Sequence, residues 1–159
     1  MTTALRLVFD DCLSRHAVTA LKKLADFTSG SVEFAHLVDF NLSGEIDDDW
    51  VPRIAADKWI VVTTDRGKKP SRGGKLPALC QRHGLSYVMF SGSVHQRNTF
   101  DKIRALFDVW PALVKLCPGG SCHGYLIHGP AKARAQIKQV YPIQGELPPA
   151  VQKELGLKS

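Results

Sequence analysis

Acidic residues occur at three positions of the sequence that could contribute to a single site. Asp10 follows the apolar run 5–9, Asp65 follows the β-branched run 59–63, and Asp47 opens a run of three acids. If the two apolar runs are nearby parallel strands, their carboxyl ends lie at one edge of a sheet. A helix that begins at Asp47 and leads into the second strand begins at that same edge. We therefore expect the three carboxylates to converge.

Converging carboxylates repel one another, and the pKa of at least one must rise unless a cation neutralises the charge. Oxygen ligands without Cys or His among them suit Mg²⁺ or Mn²⁺ rather than zinc. Such an ion can activate water and take up charge on a phosphate, so the acids indicate phosphodiester hydrolysis. The alternative is purely local: Asp10 and Asp11 cap the first helix, Asp47 caps the second, and Asp65 opens a turn.

A loop of glycines and cations follows Asp65 directly. The chain carries 21 Lys and Arg against 15 Asp and Glu, a net charge of +6, and a basic surface favours nucleic acid as a partner. We predict that this loop contacts RNA phosphates, with a merely solvated loop as the alternative. Its cations are Arg66, Lys68, Lys69, Arg72 and Lys75.

The elements that must position these residues alternate between short apolar runs and segments of helical period. This alternation predicts a parallel sheet with helices on both faces. Strands are predicted at 5–9, 32–38, 59–63, 85–90 and 125–128, and helices at about 13–24, 48–57, 76–83 and 98–114.

The helix faces can be assigned from spacing. The first helix is expected to bury Leu13, Ala17, Leu21 and Leu24, and the last to bury Phe100, Ile103, Phe107, Trp110 and Val114. Asn98 is predicted to cap that last helix, and Pro111 to kink or divide it. From Pro130 onward we expect a surface tail with one short helix.

Length and composition set the outer limits. At 159 residues, with 44% hydrophobic and 23% charged residues, the chain fits one globular domain, here taken as 1–140 with a tail at 141–159. No apolar stretch approaches the roughly 18 residues of a membrane span. The N-terminus lacks a basic segment followed by a long apolar one, so no signal peptide is predicted and a cytoplasmic location is expected.

Three segments, in order, resemble PIN-like nuclease domains, most closely those related to VapC-type toxins and to Mut7-C-type domains. The first is Leu-Val-Phe-Asp-Asp-Cys-Leu-Ser at 7–14. The second is Asp-Asp-Asp-Trp at 47–50, and the third is Trp-Ile-Val-Val-Thr-Thr-Asp-Arg at 59–66, whose Asp65 lies 18 residues after Asp47. The resemblance covers roughly 5–116.

The resemblance implies a fold and an activity. The fold is a three-layer α/β/α domain with a central, mainly parallel sheet of four to five strands. The activity is that of a Mg²⁺- or Mn²⁺-dependent endoribonuclease acting on RNA, the toxin of a type II toxin–antitoxin system with a cognate antitoxin as its partner. A homodimer remains open.

The resemblance also assigns residues. Asp10, Asp47 and Asp65 are the implied catalytic and metal-binding acids, and Thr63 is implied to orient a neighbouring carboxylate or phosphate. Asp11 and Asp48 stand next to the first two acids and are alternative ligands.

The sequence departs from the family at one point. Many PIN domains carry a fourth acid soon after the third, whereas no acid follows Asp65 before Asp101. A catalytically weak or inactive PIN-like module that binds RNA or a protein is therefore the alternative function, and a small phosphotransfer enzyme is a third.

Helical geometry ranks the three consecutive acids. Neighbouring side chains on a helix point about 100° apart, so the acids cannot all reach one metal ion. Asp47 lies three residues before Trp50 and is expected to lean toward the same inner side. Asp49 is expected to face solvent, and Asp48 to be intermediate.

Overall fold

The computed structural model describes seven stretches of the chain: 5–11, 13–25, 32–63, 76–95, 97–116, 122–130 and 133–142. Asp65 and the basic loop 66–75 lie outside these described residues, as does the end of the chain after 142.

Six strands form one sheet in the order β2-β1-β3-β4-β5-β6. The first five are parallel, and β6 runs antiparallel to β5 at the edge. The prediction of a mainly parallel α/β sheet is confirmed, but with six strands rather than four or five. The strands are β1 Leu5–Phe9, β2 Val32–His36, β3 Ile60–Thr63, β4 Tyr87–Phe90, β5 Gly124–His128 and β6 Gln136–Tyr141.

The helices alternate with the strands along the chain. In the described residues they are α1 Arg15–Ala25, α2 Asp47–Ala55, α3 Leu76–Arg82, α4 Gly92–His95, α5 Thr99–Asp108 and α6 Trp110–Leu113, with a short 3₁₀ helix at Leu37–Phe40. None of these helices has the length and apolar character that crossing a membrane requires.

The sheet separates two hydrophobic cores. Leu7 and Phe9 face one core, which α1, α5 and α6 cover, while Val8 faces the other, which α2 and α3 cover. Successive side chains of a strand point to opposite faces, so a central strand covered on both sides must be apolar at every position. The completely buried strand β3 has this pattern as far as Val62, and its last residue, Thr63, is the polar exception. The result is the three-layer α/β/α arrangement that was expected.

Of the nine predicted core positions, four are buried, three are partly buried against the core, and two are wrong. Leu13, Ala17 and Leu21 are buried, but Leu24 in the last turn of α1 is 48% exposed. Phe100 is 74% exposed because it lies in the first turn of α5, before that helix reaches the core. Helical spacing gives the direction of a side chain but not how far along the helix the neighbouring layer extends.

Three local predictions about the C-terminal half can also be compared. The side chain of Asn98 accepts a hydrogen bond from the Asp101 N–H at 2.9 Å, so the predicted cap is confirmed. Pro111 is the second residue of α6, and the chain is divided there as predicted. The expected surface tail after Pro130 is wrong for Gln136–Tyr141, which form β6 with Ile137 and Val140 packed into opposite cores. The short helix expected in that tail stays a prediction, because 143–159 lie outside the described residues.

Candidate functional site

The register between β1 and β3 places Asp10 beside Thr63. Phe9 pairs with Val62, so the next residue of each strand is Asp10 on β1 and Thr63 on β3. The Asp10 N–H donates to the Val62 carbonyl at 3.3 Å, which extends the pairing to the last residue before the chain leaves the sheet. The prediction that the carboxyl end of β1 meets the carboxyl end of β3 is confirmed.

The side chains of this pair are joined by a hydrogen bond. The Thr63 hydroxyl donates to Oδ2 of Asp10. Asp10 is 7% exposed and Thr63 is completely buried. A buried carboxylate is costly unless hydrogen bonds or a positive charge compensate it. The predicted role of Thr63 in orienting a neighbouring carboxylate therefore has a partner in the structure, namely Asp10.

Asp11 faces away from Asp10 and is exposed. Its carboxylate accepts the Ser43 hydroxyl at 2.7 Å and the Gly44 N–H at 2.9 Å. Gly44 has a φ of +79°, a conformation that glycine adopts without steric cost. Asp11 thus ties the end of β1 to the loop that leads into α2, so it fixes where the next acids begin.

The acids of α2 are distributed as the helical geometry predicts. The Trp50 indole N–H donates to Oδ1 of Asp47 at 3.0 Å, which confirms that Asp47 leans toward the inner side. Trp50 is 1% exposed and anchors that side to the core. Asp49 is exposed, also as predicted, and Asp48 is half-buried.

The helix caps belong to other residues. The Ser14 hydroxyl accepts the Ala17 N–H at 3.2 Å at the start of α1. The residue preceding α2 is Ile46, which makes no side-chain cap. Asp47 is therefore the first helical residue rather than a cap, so the local explanation does not account for its position.

Asp10 and Asp47 approach a common neighbour on α3. Burial raises the pKa of the Cys80 thiol well above its usual range, and the nearby Cys122, Asp47 and Asp10 raise it further. A carboxylate raises the pKa of a thiol only when it is close enough to repel the thiolate. Carboxylates from β1 and from α2 are thus both near enough to Cys80 to raise the pKa of its thiol.

The described donors are chemically suited to a hard divalent cation. They are carboxylate oxygens, and Oδ2 of Asp48 is buried without a hydrogen-bond partner among the described residues. In the same part of the chain, no group of three or more His, Cys, Asp or Glu side chains is placed to hold a metal ion. The third predicted acid, Asp65, lies outside the described residues, so the convergence of the three acids stays a prediction.

One cation of this sheet edge was missed by the sequence analysis. The guanidinium of Arg97 donates from Nη2 to the Gly129 carbonyl at 2.7 Å, just beyond the end of β5. Its Nε is buried without a hydrogen-bond partner among the described residues. Its position shortly after an apolar strand was the signal available in the sequence. That position does not distinguish Arg97 from any other arginine in a loop.

Comparison with known proteins adds the family. A family model described as a PIN-like domain matches residues 5–92, more than half of the chain. This segment runs from β1 into α4 and contains all the acids considered above. Neither the curated proteins nor the solved structures yielded a match. The chain belongs to the family of PIN-like domains.

Proposed function

We propose that this protein is a metal-dependent endoribonuclease that hydrolyses RNA phosphodiester bonds at the carboxyl ends of β1 and β3. PIN-like domains are generally nucleases, and the match covers the whole acidic region. The observation that carries the proposal is the buried carboxylate of Asp10, which accepts the Thr63 hydroxyl where β1 and β3 end side by side.

The proposed metal ligands are Asp10, Asp47 and Asp65, with Asp48 as a further candidate. Asp65 follows Thr63 by two residues, and two residues of chain span at most about 7 Å. That short connection supports its inclusion. A bound Mg²⁺ or Mn²⁺ would supply Lewis acidity toward the phosphate and lower the pKa of water.

The chain's own residues have separate tasks in this proposal. Thr63 holds the Asp10 carboxylate in one orientation, and Trp50 does the same for Asp47. Asp11 positions the loop before α2 through its hydrogen bonds to Ser43 and Gly44, and it stays an alternative ligand. The loop cations between Arg66 and Lys75 are proposed to bind the RNA backbone electrostatically.

A biological role as the toxin of a toxin–antitoxin pair is the finer part of the proposal. It is supported by the resemblance of segments 7–14, 47–50 and 59–66 to VapC-type toxins. The partner would be a cognate antitoxin protein. Induced expression in a bacterial host tests this role: growth arrest by the wild type but not by Asp10→Asn is expected, and normal growth with both would contradict it.

The central experiment compares Asp10→Asn with Asp49→Asn on a single-stranded RNA. Cleavage should require Mg²⁺ or Mn²⁺ and stop in EDTA. Asp10→Asn should lower the rate at least about 100-fold, because the charge that holds the cation is lost while the shape is kept. Asp49→Asn removes the same charge from an exposed position and should leave the rate within about twofold of wild type.

The alternative function predicts a different result. If the shortage of acids after Asp65 leaves the site inactive, the wild type would bind RNA without cleaving it under any metal. That outcome, or full activity in Asp10→Asn, would contradict the nuclease proposal. Release of phosphate from phosphomonoesters without cleavage of RNA would instead favour the phosphotransfer enzyme.

A further inference from the structure

We propose that the cavity between α1 and β2 binds a backbone phosphate of the nucleic acid beside the candidate active site. This inference rests on the proposed function for the identity of the ligand, and it assigns a binding role to residues of α1.

The cavity has a volume of about 230 Å³. Arg15, Thr19 and Lys22 line it from α1, and Phe34 and His36 line it from β2. Pockets that take whole small molecules begin at roughly 300 Å³, so this space suits one group of a larger ligand. A phosphate with part of its sugar is such a group.

The wall residues follow from the periodicity of their elements. Arg15, Thr19 and Lys22 are spaced by four and three residues and therefore share one face of α1. Phe34 and His36 are two apart and share one face of β2. The cavity is therefore lined by the cations of α1 on one side and by the two rings of β2 on the other.

The available donors are the two cations. The Thr19 hydroxyl donates to the Arg15 carbonyl at 3.0 Å. Nδ1 of His36 accepts the Val38 N–H at 3.1 Å, so its Nε2 carries the proton and donates to the Leu13 carbonyl at 2.8 Å. With both ring nitrogens occupied, His36 serves as a wall and not as a ligand.

The hydrogen bonds of Leu13 connect the cavity to the candidate active site. Its carbonyl accepts from His36, and its N–H donates to the Asp10 carbonyl at 3.2 Å. The His36 end of the cavity is therefore linked to Asp10 through Leu13, and the cavity extends from there along α1 toward Lys22. In this proposal, a strand of nucleic acid whose scissile phosphate lies at Asp10 places a neighbouring phosphate in the cavity.

The carboxylate of Asp39 also lines the cavity, and its negative charge should weaken the binding of a phosphate there. Oδ1 of Asp39 lies 3.7 Å from Nη2 of Arg15, and these side chains are 41% and 67% exposed. An exposed pair of this kind is worth little, so a phosphate can compete for the guanidinium. Oδ2 of Asp39 accepts the His36 N–H at 2.9 Å and holds the carboxylate in place.

The test is binding of a labelled single-stranded oligoribonucleotide in EDTA, measured by fluorescence anisotropy over a salt series. Lys22→Ala should weaken binding about threefold to tenfold and lower the salt slope by about 0.7, the value for one lost contact to a single strand. Lys23→Ala is the matched control, because Lys23 is the exposed neighbouring cation of α1 and does not line the cavity. It should change binding less than twofold.

A second variant removes a negative charge from the cavity and should therefore strengthen RNA binding. Asp39→Asn keeps an oxygen for the His36 N–H and removes the anion beside Arg15, so binding should tighten about twofold to fivefold. If Lys22→Ala equals Lys23→Ala and Asp39→Asn leaves affinity unchanged, the inference is overturned even when the wild type cleaves RNA. If binding responds as expected but no metal supports cleavage, the nuclease proposal fails and the phosphate site stands.

Discussion

Two acidic runs, 10–11 after β1 and 47–49 in α2, differ in how their side chains are buried and bonded. At the end of β1, Asp10 is buried against Thr63, whereas Asp11 is exposed and holds the Ser43–Gly44 loop. At the start of α2, Asp47 turns inward to Trp50, while Asp49 faces solvent.

The difference comes from the geometry of the elements. Asp10 and Asp11 follow the last residue of β1, and there the first side chain is buried and the second is exposed. A helix turns successive side chains by about 100°, so a run of three acids contains intermediate positions such as Asp48. The buried and the exposed acid are therefore adjacent after β1, whereas at the start of α2 two half-buried acids precede the exposed one.

The largest expected effect is on metal affinity. Asp47→Asn should weaken Mn²⁺ binding at least about tenfold, because a ligand charge is lost, while Asp49→Asn should leave it unchanged. Isothermal calorimetry on the full chain measures both. Loss of Mn²⁺ binding in Asp49→Asn with retention in Asp47→Asn would reverse the assignment of directions along α2.

The second effect separates Asp10 from Asp11 by stability. Asp11→Ala should lower the free energy of unfolding by about 0.5–1.5 kcal/mol, since the exposed Ser43 hydroxyl and Gly44 N–H exchange their acceptor for water. Asp10→Asn should leave metal-free melting unchanged or raise it, because a buried charge is removed. Urea unfolding in EDTA checks both, and a large loss of stability in Asp10→Asn would make Asp10 structural.

The third effect concerns the hydroxyl of Thr63. Thr63→Val keeps the shape of the buried side chain but removes the donor to Asp10, and should slow RNA cleavage about tenfold. Thr63→Ser should restore most of the rate because the donor returns. A wild-type rate in Thr63→Val together with a slow Thr63→Ser would show that the methyl group, and not the hydroxyl, matters at this position.

The smallest effect is a dependence of stability on pH. The pKa of Cys80 is raised in the fold by burial and by Asp47 and Asp10, and burial raises the pKa of Tyr87 to about 12. In the unfolded chain these two groups lose their protons at a lower pH than in the fold. Their contribution to the free energy of unfolding should therefore be fully present below about pH 9 and fall as the pH rises toward 12. Asp47→Asn should make the first part of that fall slightly shallower, as melting temperatures over this pH range would show.

Local patterns were enough to predict the elements of the family-matching half. The limits of β1 were predicted to the residue, because its apolar run is broken only by Arg6 and stops at two acids. The position of Asp10 directly after β1 was predictable for the same reason. The edge strand β6 was not predictable, because its identity depends on pairing with β5 rather than on its own weakly alternating residues.

The sequence by itself determined which elements form, that Asp10 ends a strand, and that Asp47 shares the side of Trp50, because these follow from the period of one element. Only the tertiary structure decided that Thr63 is the partner of Asp10, which depends on the register between β1 and β3. Only the tertiary structure decided that Asp11 holds Gly44, a contact 33 residues apart in the chain. Contacts between elements depend on register and packing, and the spacing of residues within one element does not contain that information.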